Sequence, residues 1–528
     1  MTLPAIKDRF TTFIQMRKIK IMLWLLAAPL LVSGQYSMPP VSLTQASFDE
    51  FFFGGEIPKI EGRVYNATAE ELADISLSFH VVNLTGTFQT RLDADIRPDG
   101  TFSLEMDSRL PYRQVWVRIP DLLSTCLYVN DGIFIDLDLA LLKKKDVYLD
   151  GVGLVFKGPD AEVCRVVNQH LLFGKKHATG VEEKLSDLKR GIGDPALLDS
   201  LFEIKRQTDS IFFEENGSRF RFLIDNNRRS AYFESKMTLL NRRLFESKGK
   251  DKIPVDWEEL WAHPIYTLTN ESRAFLMYLY HRYLFDNKDE NVLMNDFDKL
   301  AAGISAIYPG SYSDLVSLQI ESKDVKEQRT AYEVIGPRLQ NRWARSLAES
   351  KVGYLAGLEE QIDRVIASAT GDRGGDLGEL KLDTPFHARL IVSDKTSGKD
   401  LLESIMRKYT KKLVLIDIWA TWCAPCIEEM PYSKKLHDEA RRENLPVEFV
   451  YLCTSSGSKE ERWTRKVVEL SQPGTHIFVE DKHIAELFSL FNKSGYPSYL
   501  VIRPDGTIDT QGISRMSHLT MEALKAML

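Results

Sequence analysis

Cys423 and Cys426 stand three positions apart, directly behind "LVLIDIW" (residues 413–419) and at the start of "CAPCIEEMP", which reads as a strand feeding a helix. A pair at this spacing can contribute to a metal site, close a structural disulfide, or exchange disulfides with other proteins. Zinc needs four ligands, and a structural site usually supplies a second closely spaced pair. Cys453, His437, His476 and His483 fall in the same region, but no two of them have that spacing. A static disulfide across so short a loop would remove little chain entropy from the unfolded state. Exchange accounts for the spacing better. At a helix start the positive end of the helix favours the Cys423 thiolate, lowering its pKa from the free value of about 8.5 and making it the attacking sulfur. Cys426, one turn along, can attack the resulting mixed disulfide and release the reduced substrate. Pro425 stiffens the turn between them, and Pro431 is expected to kink the helix without ending it.

The elements that must position this pair follow from the surrounding pattern. From about Leu380 the sequence reads as an opening strand, a helix ending near Tyr409, a strand over Leu413–Trp419 and a helix from Ala424. A strand over Val447–Cys453, a helix over Glu460–Leu470, a short strand near Ile477, a helix over Ile484–Phe491, a hairpin through Ser498–Thr510 and a closing helix follow. Such alternation implies a sheet with helices on its faces and parallel central strands.

The chain ahead of this domain divides by periodicity. Residues 35–158 carry short alternating runs such as "GRVYNA" and "QVWVRI", the pattern of a small antiparallel β domain. Residues 159–370 change to a period of three and four, an all-α helical module. Its aromatics Phe275, Tyr278, Tyr280, Tyr283 and Phe285 fit core packing better than a ligand stripe. The glycine-rich residues 371–379 read as a linker to a redox domain over 380–528. "RPDGTF" at 97–102 and "RPDGTI" at 503–508 are read as two independent turns, since Pro-Asp-Gly is common in turns. At 528 residues, about three domains of roughly 150 residues each are expected. With 44% hydrophobic and 27% charged residues the composition is globular. A net charge of -7 offers no basic field, which sets nucleic acid aside as a partner.

Residues 1–34 differ from the rest: Arg17, Lys18 and Lys20 precede the apolar run Ile21–Val32, followed by Ser33 and Gly34. This is the layout of a secretory signal cut ahead of Gln35. The run falls short of the roughly 20 residues a membrane span needs, and Pro29 interrupts it. Periplasm or cell envelope is the expected location, with an uncleaved anchor as the alternative. Met16 opens a complete signal by itself and is a candidate start.

Trp-Ala-x-Trp-Cys-x-Pro-Cys with Glu429 and Pro431, the helix-containing insertion after the Val447–Cys453 strand, and "GYPSYLVIRPDG" together resemble the TlpA/ResA-like envelope thiol-disulfide oxidoreductases of the thioredoxin superfamily. The resemblance covers about residues 380–528. It implies a thioredoxin-like fold in which Pro497 is the cis-proline beside the cysteines. Tyr496 and Pro497 would then form the backbone strip on which a substrate segment docks, and Trp422 a flat apolar contact beside Cys423. Asp417 matches thioredoxin's buried acid, which assists proton transfer at the second cysteine; many TlpA/ResA-like proteins lack it, and a partly solvated strand-end carboxylate is the alternative. The lysine that accompanies this acid in thioredoxin is replaced by Tyr451. Glu429 fits the family motif and equally fits an exposed helix position. The modules in front resemble extensions found on such proteins in Bacteroidetes-type bacteria.

The expected function is therefore envelope thiol-disulfide exchange, with protein thiols and disulfides as substrates and no cofactor or metal beyond the Cys423–Cys426 pair. Ala424 and Pro425 bring no positive charge to hold a thiolate, and Asp417, if ionised, opposes one, so the domain is expected to act as a reductant supplied by a membrane-borne electron donor. The alternatives are a disulfide oxidase or isomerase on the same fold, or a binding or scaffold protein in which the pair is structural. Cys126, Cys164 and Cys453 are read as buried free thiols; a Cys126–Cys164 disulfide would require α-carbons within about 7 Å.

Overall fold

The computed structural model describes residues 41–528 except 87, 249–256, 287–295, 321, 323 and 369–374. The expected signal over 1–34 and residues 371–374 of the expected linker lie outside the described residues. Among the described residues no helix is long and apolar enough to cross a membrane.

The strand-like text folds into β1 Lys59–Tyr65, β2 Ser78–Val82, β3 Gln89–Asp93, β4 Thr101–Glu105, β5 Arg113–Ile119, β6 Leu123–Val129, β7 Ile133–Asp138, β8 Val147–Tyr148 and β9 Leu154–Lys157. They form a four-stranded sheet in the order β4-β1-β7-β9 and a five-stranded sheet in the order β3-β2-β5-β6-β8. Alternate residues such as Ile60 and Val64 of β1 point inward, as a half-buried strand requires, and meet Phe79, Val117 and Ile135 in one core. Pairing is antiparallel except between β1 and β7 and between β6 and β8. The β1–β7 contact is parallel because the chain crosses to the other sheet and back between them.

The change of period near residue 158 is a change of secondary structure and not a break in the core. Val163, Cys164 and Val167 of α1 (Ala161–His177) belong to the same apolar cluster as the strands. In α3 (Asn270–Asp286), which follows α2 (Arg221–Glu246), Phe275, Tyr280 and Tyr283 are buried, and Arg273 donates to the carbonyls of Asn83 and Gly86 beyond β2. Residues 42–53 leave the β region altogether. The Leu43 N–H bonds the Ile265 carbonyl at 2.8 Å, and the Phe48 ring lies 5.0 Å from that of Trp343.

The redox domain comprises β10 Gly378–Asp383, β11 Ala388–Ser393, α6 Gly398–Lys408, β12 Leu413–Trp419, α7 Ala424–Arg442, β13 Val447–Thr454, α8 Glu460–Leu470, β14 Gly474–Val479, α9 Asp481–Phe491, β15 Ser498–Ile502, β16 Ile508–Asp509 and α10 Met521–Ala526; α4 (Val325–Ile335) and α5 (Arg342–Ala367) precede it. Its sheet runs β10-β11-β14-β13-β12-β15-β16, with β11, β14, β13 and β12 parallel. Leu377, inside the expected linker, is fully buried in this domain's core, and β10 begins at Gly378, so the last part of that glycine-rich stretch is folded. The two RPDG segments make the same turn in different sheets. Gly100 and Gly506 sit at φ of 83° and 87°, where glycine is favoured, and Asp99 and Asp505 each accept the N–H of the threonine two residues on.

Ion pairs seat this domain on the helical module. Arg465 of α8 lies 2.7 Å from Asp363 and 3.8 Å from Glu359 of α5, and Arg462 lies 3.9 Å from Glu327 of α4. On another side the Arg91 guanidinium of β3 stands 4.5 Å over the Tyr432 ring of α7. Such partly exposed pairs are each worth about 0.2–1 kcal/mol and weaken with salt. Replacing both Arg462 and Arg465 with alanine should therefore speed proteolytic separation of the redox domain, as added salt does in the parent. Identical cleavage kinetics would show that the pairs do not hold the domain.

Candidate active site

β12 is buried along its whole length, as expected of a central strand covered on both faces. It delivers the chain to the mouth of the sheet, and α7 begins after four intervening residues, 420–423. Cys423 is the N-cap of α7, with extended φ of -83° and ψ of 92°, and its Sγ accepts the Cys426 N–H at 3.2 Å. Its carbonyl accepts from Ile427 at 3.1 Å. Pro425 sits in the first turn, where a missing N–H costs no intrahelical bond, and α7 continues through Pro431. The two sulfurs form a disulfide with α-carbons 5.3 Å apart. Cys423 keeps 4% exposure and Cys426 none, while Ala424 and Pro425 between them are exposed.

Trp422 is 53% exposed, and its ring meets Tyr496 edge to face at 5.6 Å. Tyr496 rests in turn on Phe488, and the Tyr496–Pro497 peptide is cis, immediately ahead of β15.

Behind the pair, Cys426, Glu429, Met430 and Ser433 form the buried face of α7. Asp417, 1% exposed, lies opposite Tyr451 of β13 and opposite Tyr499 of β15, and neither of its oxygens has a hydrogen-bond partner among the described residues. Burial first, and the Glu429 carboxyl second, push the Asp417 pKa up to about 8. Asp417 is thus mostly protonated at neutral pH, and the expectation of a charged acid opposing the thiolate applies only above that. Glu429 is buried, accepting from the Ser517 N–H at 2.8 Å and the Ser517 hydroxyl at 3.0 Å, with Arg515 3.9 Å away. The exposed-helix alternative for Glu429 is ruled out by these contacts.

Tyr451, which stands where thioredoxin's lysine was expected, brings no charge. Its hydroxyl takes a bond of 2.7 Å from Gln472 and lies 3.0 Å from Ser433. His476 stacks on its ring at 4.5 Å and donates Nε2–H to the Gln472 carbonyl at 2.9 Å; burial holds this histidine down to about 3, hence neutral. Tyr499, Gln472, Ser433 and His476 were missed from the sequence. The signal that could have found them is the lone acid inside an otherwise apolar strand, whose lateral neighbours must be polar enough to tolerate it.

The other cysteines stand apart from this pair. Cys126 and Cys164 are free and buried; Cys164 Sγ accepts the Tyr128 N–H at 3.3 Å, and burial raises both thiols. Cys453 is free, its thiol pushed up to about 12 by burial. Among the described residues no three His, Cys, Asp or Glu side chains lie together as metal ligands.

A disulfide-forming pair at a strand-to-helix junction, set beside a cis-proline on a mixed sheet flanked by helices, defines a thiol-disulfide exchange site. A family profile described as thioredoxin-like matches residues 411–508. The thioredoxin-like protein YneN of Bacillus subtilis is 29% identical over 137 residues, which are 26% of this chain and 72% of that protein. The thiol-disulfide oxidoreductase ResA of Oceanobacillus iheyensis is 30% identical over 98 residues, 19% of this chain and 47% of that protein. The thioredoxin of Coprinus comatus is 30% identical over 76 residues, 14% of this chain and 67% of that protein. The chain belongs to the thioredoxin-like family of thiol-disulfide oxidoreductases through its C-terminal domain.

The raised Asp417 pKa has a consequence for stability. Between the ordinary carboxyl value of 3.8 and about 8 the unfolded chain gives up this proton while the folded chain keeps it. Stability contributed by Asp417 is therefore full below pH 4, falls as pH rises through that window and is flat above it. Asp417→Asn should be more stable than the parent at pH 8, with the advantage shrinking towards pH 4, in thermal unfolding followed across pH. A variant less stable than the parent at pH 8 would remove the buried neutral acid.

Proposed function

We propose that this protein reduces disulfides of other proteins in the cell envelope, using the Cys423–Cys426 pair with no further cofactor. The observation that carries the reading is Cys423 as the N-cap of α7, next to exposed Ala424 and Pro425, with Cys426 buried one turn on. In the reduced state the Cys423 thiolate attacks one substrate sulfur, forming a mixed disulfide and expelling the other as a thiolate. Cys426 then loses its proton and attacks Cys423, closing the internal disulfide and releasing the second substrate thiol. Asp417 is proposed to take the Cys426 proton, since a pKa of about 8 lies close enough to working pH for transfer in either direction. Tyr496 and Pro497 are proposed as the backbone strip for the substrate segment and Trp422 as its apolar wall, while Pro425, Glu429 and Pro431 support the helix and its buried acid.

Direction follows from charge. No positive group lies between the cysteines, and the groups facing the buried side of α7 include the carboxyls of Asp417 and Glu429 and the phenols of Tyr451 and Tyr499, with the largely exposed Arg515 paired to Glu429. None of these carboxyls and phenols stabilises a thiolate, which favours the disulfide form and a low potential. A reductant in an oxidising compartment needs a two-electron supply, so a membrane-borne dithiol donor is the proposed partner. The N-terminal segment supports export, with Gln35 as the proposed mature start.

Cys423→Ser should abolish dithiol-dependent reduction of a test disulfide, whereas Cys426→Ser should make the first attack and accumulate mixed disulfides. Equal behaviour in a trapping gel would refute the assigned roles. Asp417→Asn should slow turnover with the fold intact, and unchanged turnover would remove the proton-transfer role. Equilibration with glutathione should give a potential below about -180 mV, the level of a disulfide isomerase; a value near -120 mV would make the protein an oxidant.

A further inference from the structure

Trp422 combines exposure with a fixed position. Its outer ring lies in solvent, yet the indole Nε1–H donates to the Ser456 carbonyl at 2.7 Å. Ser456 belongs to the turn Ser455–Ser458 between β13 and α8. The Ser455 N–H bonds the Val479 carbonyl at 2.8 Å, and the Ser455 hydroxyl accepts the Asp481 N–H at 2.9 Å, so the turn is pinned to β14 and the start of α9. Ser458, buried, holds the residue ahead of Trp422: its hydroxyl accepts the Thr421 N–H at 3.2 Å and lies 3.0 Å from the Thr421 hydroxyl.

Gly457 makes this seat possible. Its φ of 65° is unfavourable for other residues, and a Cβ there would stand 2.7 Å from Nε1 and 3.0 Å from Cδ1 of Trp422. A side chain at 457 would crowd the indole where it bonds the Ser456 carbonyl. Across from it Tyr496 presents its ring edge to face. An aromatic ring ordinarily gains contact area on binding but loses rotamer freedom; a ring already fixed avoids the second cost.

We propose that the turn Ser455–Ser458 is a specificity-determining element of the redox site, with Gly457 a positioning residue that holds Trp422 as a rigid aromatic wall. The wall selects polypeptide disulfides with an apolar side chain beside the cysteine over small charged disulfides. The proposal rests on the disulfide-exchange reading above.

The test compares reduction of a peptide disulfide carrying leucine next to its cysteine with reduction of glutathione disulfide. Gly457→Ala should lower the ratio of kcat/KM for the peptide to that for glutathione disulfide about fivefold, through KM, the scale of one aromatic contact. In a Trp422→Ala background the same substitution should change nothing further. Trp422→Phe, which keeps a ring but not the indole donor, should shift the ratio in the same direction and decides the matter if Gly457→Ala does not fold. An unmoved ratio, full additivity with Trp422→Ala, or a shift in the pH profile of Cys423 alkylation would overturn the proposal. Binding of the S-methylated peptide, followed by fluorescence polarisation, should weaken about fivefold in Gly457→Ala. This arm needs no turnover, so it still judges the wall if the parent reduces neither disulfide and the reduction reading fails.

Discussion

The site depends on the junction where β12 ends and α7 begins, because a sulfur occupies the capping position there. An N-cap side chain ordinarily offers oxygen to the free N–H groups of the first turn. Cys423 offers Sγ to the Cys426 N–H instead. A neutral thiol or disulfide sulfur accepts weakly and a thiolate strongly, so the helix end that needs capping also favours the reactive charge state. Redox state and helix capping are thereby linked at one atom. The sheet order places this junction at the carboxyl end of its parallel strands, where α/β proteins leave a crevice open to ligands.

Behind the junction, desolvation sets the chemistry. Tyr499, Asp417, Tyr451 and His476 occupy neighbouring register positions on four adjoining strands. The Tyr451 side of that row is hydrogen-bonded through Ser433, Gln472 and His476, whereas Asp417 has no partner among the described residues. A buried acid so placed costs stability in its charged form, and it avoids that cost by keeping its proton. An unpaired buried carboxyl is poorly explained as a packing device, and its place under the helix that carries the cysteines gives it a chemical reason to persist.

Local signals made much of the redox domain legible. β12 and the start of α7 were readable because a run apolar but for Asp417 is followed by the cysteine pair and a first-turn proline; α8 was readable from its period. Cross-strand neighbours were not. Tyr499 reaches Asp417 only through the antiparallel register of β15, and Gln472 reaches Tyr451 through the fold of the α8–β14 connection; neither is encoded within a short window. The ionisation of Asp417 was misjudged for the same reason, since burial depends on what the whole domain stacks over it. Nothing in the sequence singles out the turn Ser455–Ser458, because the approach of the indole to Gly457 exists only in the fold.

The strength of each internal contact divides the molecule differently from its secondary structure. The β strands share one apolar cluster with α1 and the start of α2, with Val163, Cys164 and Val167 of α1 and Leu223 of α2 packed among strand residues. The redox domain's own cluster draws on residues from Leu377 to Ile508 and none from the earlier modules. Its contacts with them include the guanidinium pairs of Arg462 and Arg465 and the Arg91–Tyr432 stack. Shared apolar area makes a cooperative unit, whereas partly hydrated ion pairs allow separation at low cost. The change from β to α text near residue 158 therefore marks no break in the apolar core. Docking through α8 leaves Trp422, Ala424 and Pro425 exposed, so the contact that holds the redox domain is separate from the surface on which it meets a substrate.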